Sequence, residues 1–63
     1  MTQKELLYVE DAVEHEKSII KLCNEFLNKL EDDDLKDFIT TQINSHEEMK
    51  SNLLSLLEEE ANG

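Results

Sequence analysis

Glu31-Asp32-Asp33-Asp34 interrupts an otherwise continuous helical pattern near the middle of the chain, and that interruption decides the fold. Three successive aspartates supply an N-cap and favourable charge for a new helix N-terminus. The same charges sit poorly at the C-terminal end of a preceding helix. A turn over about residues 31–33 therefore separates helix 1, about residues 3–30, from helix 2, about residues 34–60.

Before the turn, apolar residues recur at Leu6, Val9, Ala12, Val13, Ile19, Ile20, Cys23, Phe26, Leu27 and Leu30, the spacing of one helical stripe. Thr2-Gln3-Lys4-Glu5 is a capping box that starts this helix near Gln3. After the turn the stripe resumes with Leu35, Phe38, Ile39, Met49, Leu53, Leu56 and Leu57. It is expected to fray near Glu60, because Asn62-Gly63 cannot extend it. No proline occurs and Gly63 is the only glycine, so nothing inside either segment breaks a helix, and strand signals are missing. Each helix is then about 28 residues, or roughly 42 Å at 1.5 Å per residue. So short a turn predicts equal helices lying antiparallel. The expected class is all-α: one domain, residues 1–63, folded as an antiparallel helical hairpin.

A chain of 63 residues is short for independent stability. Below about 70–80 residues a single core rarely suffices without a disulfide, a metal or a partner. One cysteine cannot form an internal disulfide; Cys23 reads as a small apolar side chain, and an unpaired cysteine fits a reducing compartment. The stripes are wide, with Ile19 and Phe26 flanking the seam, which suits four-helix packing. A two-fold homodimer is the expected support. Its core stripe would be Val9, Val13, Ile20, Cys23, Leu27, Phe38, Met49, Leu53 and Leu56. Leu7, Leu22 and Leu54 lie off the stripes.

Sixteen acids against six lysines give a formal net charge of −10. That balance repels nucleic acid and anionic lipid, so neither is an expected partner. No apolar stretch approaches the roughly 18–20 residues of a membrane span. Met1–Glu10 lacks the basic start and apolar run of a secretory signal, so the expected location is cytoplasmic.

Three polar residues interrupt the stripes. At about 100° per residue, Glu16 falls on the mean direction of the helix 1 stripe, and Gln42 and His46 on that of helix 2. Buried polar groups need partners, so this layer is the feature that most requires explanation. If Leu30 faces Leu35 across the turn, Glu16 faces Met49, His46 lies one turn away, and Gln42 faces Cys23. The favoured reading is an acid–imidazole pair with Gln42 hydrogen-bonded nearby, fixing register and dimer geometry. On that reading His46→Leu still folds, with stability equal or higher. Carboxylate and imidazole on facing helices are also parts of a bundle metal site, for which Glu16 and His46 are the candidates; no cofactor is expected. His15 points off the seam and suits a surface ion pair with Asp11. No nucleophile stands in a recognisable elbow or beside a base, and no Gly-rich phosphate loop exists, so an enzyme is not expected.

The chain resembles the small ferritin-like spore coat proteins of spore-forming Firmicutes, related to the coat protein F family. The resemblance is carried by Thr2-Gln3-Lys4-Glu5-Leu6, by His15-Glu16 followed by Ile19, Ile20 and Lys21, and by Asp32-Asp33-Asp34-Leu35-Lys36, which is similar to that family's Asp-Pro-x-Leu-Lys. It implies a ferritin-like four-helix bundle closed by dimerisation, a spore-associated setting, and other coat proteins as partners. In ferritin-like proteins a helix 1 glutamate and a helix 2 Glu-x-x-His hold metal. Glu16 matches the first, but the second falls on His46-Glu47-Glu48-Met49, where Glu is replaced by His46 and His by Met49. Those changes argue against ferroxidase chemistry. The resulting expectation is a non-enzymatic structural or assembly protein acting as a homodimer. The alternatives are a metal-binding bundle with a degenerate site, and an acidic regulator docking its apolar stripe on a partner protein.

Overall fold

The computed structural model describes residues 1–62 as two α-helices, α1 (Gln3–Leu27, 25 residues) and α2 (Asp33–Asn62, 30 residues), folded back on one another. The hairpin is a rod of 46 × 14 × 12 Å. The helices are unequal: α1 stops at Leu27 rather than Leu30, and α2 runs past Glu60 to Asn62. The helix-ending role expected of Gly63 lies outside the described residues.

Local chemistry sets three of the ends. At the start of α1 the Glu5 amide donates to Thr2 Oγ1 at 3.0 Å, and the Thr2 amide donates to Glu5 Oε1 at 2.8 Å, which completes the capping box. At the start of α2 the Leu35 amide donates to Asp32 Oδ1 at 2.9 Å, while Asp33 and Asp34 place negative charge in the first turn. Between them, α1 ends by tightening. The Lys29 amide bonds to the Phe26 carbonyl at 3.0 Å, and the Leu30 amide to that of Leu27 at 3.2 Å. These three-residue steps satisfy carbonyls that the last α-turn leaves open. Among the described residues none has positive φ, so the turn is made without a left-handed cap.

The amide and hydroxyl bonds from Thr2, the amide first, hold the Glu5 carboxyl below its ordinary pKa. A depressed carboxylate pKa adds stability above the unfolded-state value, and that contribution is lost as pH falls through the folded value. Thr2→Ala is expected to cost about 1 kcal/mol and to loosen the first turn. Amide exchange at Glu5 and Leu6 should accelerate in the variant. An unchanged exchange rate there would mean the cap holds nothing.

The early end of α1 shifts the register. Glu16 meets His46, and the Met1 amine lies 2.6 Å from Glu60 Oε1. Each α1 residue therefore faces an α2 residue about one turn nearer the closed end than Leu30 opposite Leu35 would place it. Leu27, not Leu30, stands level with the start of α2.

The core between the helices is thin. Among the described residues only Val13 and Ile20 are buried, at 4% and 8% exposure. Leu6, Val9, Cys23 and Leu27 on α1, and Ile39, Ile43, Leu53 and Leu57 on α2, are half-buried along the same seam. Lys36 and Lys50 occupy seam positions on α2 and are half-buried as well. Three residues expected in the core stripe are not there: Phe38 is 59% exposed, and Met49 and Leu56 are each 44% exposed. In the hairpin alone, the partner helix reaches only one edge of the stripe to which they belong.

Candidate functional site

The polar layer is a pair rather than a triad. His46 Nδ1 lies 2.5 Å from Glu16 Oε2, across the seam at mid-height, with the side chains 22% and 14% exposed. A carboxylate only accepts when ionised, so the contact is a hydrogen bond in the tautomer that has its N–H at Nδ1. The contact exists because each residue occupies a seam position: Glu16 lies between Val13 and Ile20, and His46 between Ile39 and Leu53. Steps of three and four residues on α1 and of seven on α2 keep both on the facing side. Glu16 thus faces His46 directly, where a register set by Leu30 and Leu35 would have put Met49.

Gln42 stands outside the pair. It is half-buried one turn before His46, and its side chain makes no hydrogen bond to another described residue. Among the described residues no buried side-chain nitrogen or oxygen lacks a partner, so the Gln42 amide reaches solvent at the seam's edge. None of Glu16, Gln42 and His46 counts as buried in the hairpin alone. His15 is exposed, and the described ion pairs do not join it to Asp11.

As a metal centre the site is incomplete. Among the described residues no group of three or more His, Cys, Asp or Glu side chains converges to hold an ion. One oxygen of the Glu16 carboxylate is engaged by His46, and Met49 is exposed. The residues present do not fit a carboxylate-rich two-metal site.

Three of the hydroxyls are engaged locally. Ser18, Thr41 and Ser55 each donate to the carbonyl one turn earlier, at 3.0–3.2 Å, and Cys23 is half-buried and unpaired. None of these hydroxyls is bonded to a carboxylate or imidazole.

Reading the sequence passed over Ile43. It follows Ile39 by four residues and precedes His46 by three, the ordinary seam spacing, and it is half-buried while Met49 is exposed. The signal was present in that spacing.

A long exposed apolar surface remains. Leu35 and Phe26 are each 49% exposed, and with Phe38, Met49 and Leu56 they leave large side chains in solvent on both helices. Among the described residues no helix is long and apolar enough to cross a membrane. No family model, no curated protein and no solved structure matches the chain.

Proposed function

We propose that this chain is a non-enzymatic structural or assembly protein that works by self-association, two hairpins closing a four-helix bundle. The observation that carries this reading is the imbalance between core and surface. Among the described residues two are buried, whereas Phe26, Leu35, Phe38, Met49 and Leu56 stand 44–59% exposed. A hairpin that leaves so much apolar surface wet gains stability by covering it. The Glu16–His46 pair supports the same reading as a register device, since a polar pair at a seam penalises slipped alignments that would separate its members. The spore-coat setting and coat-protein partners rest on the resemblance of three short segments, at the start of the chain, around His15-Glu16 and at the turn.

Sedimentation velocity at low micromolar concentration and neutral pH tests the reading. The expected species has twice the 7.3 kDa mass of the chain. A folded monomer over the whole concentration range would remove self-association. A monomer that is only partly helical would instead favour an acidic regulator awaiting another protein.

A further inference from the structure

Resting on the self-association reading, we infer that one particular side of the hairpin takes the second copy: the side lined by Ala12, Ile19 and Phe26 of α1 and by Leu35, Met49 and Leu56 of α2. Val13, Ile20 and Leu27 step along the α1 seam by seven residues, and Ala12, Ile19 and Phe26 immediately precede them. On α2 the seam residues Lys36, Ile43, Lys50 and Leu57 are likewise preceded by Leu35, Gln42, Met49 and Leu56. Stepping back one residue rotates a side chain by about 100° in the same sense on each helix. In an antiparallel pair those two rotations open on one side of the hairpin. The residues rotated the other way from the seam are Glu10, Lys17 and Asn24 on α1 and Thr40, Glu47 and Leu54 on α2. One side is apolar and the other is mostly polar.

Area and charge name the occupant. The chain exposes 4951 Å², whereas a compact monomer of its mass exposes about 4,200 Å². The excess, on the order of 800 Å², is close to what each partner gives up in a standard protein–protein interface. Over the middle of the hairpin the residues of this side carry no charge, and the seam acid Glu16 is already bonded to His46. A chain of net charge −10 repels its own copy nearly everywhere else. A basic partner would find few countercharges here, while a second uncharged helical face fits. Because the Glu16–His46 pair lies near mid-length, a two-fold axis along or across the hairpin sets the two pairs at one height.

The matched variants Met49→Glu and Leu54→Glu test this, since their parent side chains are 44% and 42% exposed on opposite sides. Met49→Glu buries a charge in the proposed interface and should weaken dimerisation about a hundredfold; Leu54→Glu should leave it within about threefold. A second measurement covers a Met49→Glu chain that fails to fold. In a Cys23→Ala background, spin labels at Ser45→Cys, beside the face, should approach more closely between copies than labels at Lys21→Cys. The reverse order of label distances, or dissociation by Leu54→Glu alone, would overturn the choice of face while leaving self-association intact. Absence of any wild-type dimer would remove the underlying reading instead.

Discussion

Replacing His46 with leucine should destabilise the protein, and replacing Glu16 and His46 together should restore or exceed the original stability. The sequence suggested that His46→Leu would be harmless, but the geometry says otherwise. Glu16 is 14% exposed and bonded to the imidazole at 2.5 Å, so removing the ring leaves a mostly covered carboxylate without its donor. Breaking one partner of a buried pair costs more than the pair contributes, about 3 kcal/mol or more when burial is complete. Here both groups keep some solvent, which places the single substitution nearer 1–2 kcal/mol. Glu16→Leu should cost less, because the imidazole left behind is the more exposed of the two groups and reaches water. The double leucine variant removes both polar groups from an apolar seam and extends the packing between Val13 and Ile20. Urea unfolding of the four proteins forms a double-mutant cycle. Simple additivity of the two single costs would mean that the pair is not coupled, and its role in setting register would fall.

Ile20→Ala is the second large effect expected. Ile20 is one of two buried side chains among the described residues, and truncating a buried isoleucine costs about 2–5 kcal/mol. A domain of this size rarely has more than about 3–5 kcal/mol in total. The variant should therefore be largely unfolded at low concentration and, on the self-association proposed above, regain helicity as concentration rises. Leu22→Ala is the contrast: Leu22 is 66% exposed, and its truncation should stay within about 0.5 kcal/mol. Circular dichroism melts at two concentrations separate the cases. Equal melting temperatures for the two variants would show that the Val13–Ile20 centre does not hold the hairpin together.

Much of the hairpin was legible in the chain because its signals are local. A cap is read within four residues, as Thr2 with Glu5 and Asp32 with Leu35 both illustrate. The absence of proline and internal glycine speaks for each segment without reference to the other. Glu16 and His46 were picked out for the same reason: a polar residue on an apolar stripe is visible from periodicity alone. Their pairing was the favoured reading, but their level was not visible: Met49 was expected opposite Glu16 with His46 one turn away, because the level depends on where α1 stops. That end is made by the weak three-residue bonds at Lys29 and Leu30, which no residue type in the segment demands.

By itself, then, the sequence determined two long helices, the acidic turn between them and the positions at which polar groups enter the seam. Each follows from interactions between residues no more than a few places apart. The tertiary structure decided the register that sets Glu16 against His46 rather than Met49. It also decided the division of one wide apolar stripe into a seam at Val13, Ile20, Ile43 and Leu53 and an open face at Phe26, Met49 and Leu56. The physical reason is rotational. A helix with a broad apolar stripe can turn several ways about its own axis at similar cost, and only the packing of the facing helix selects one of them.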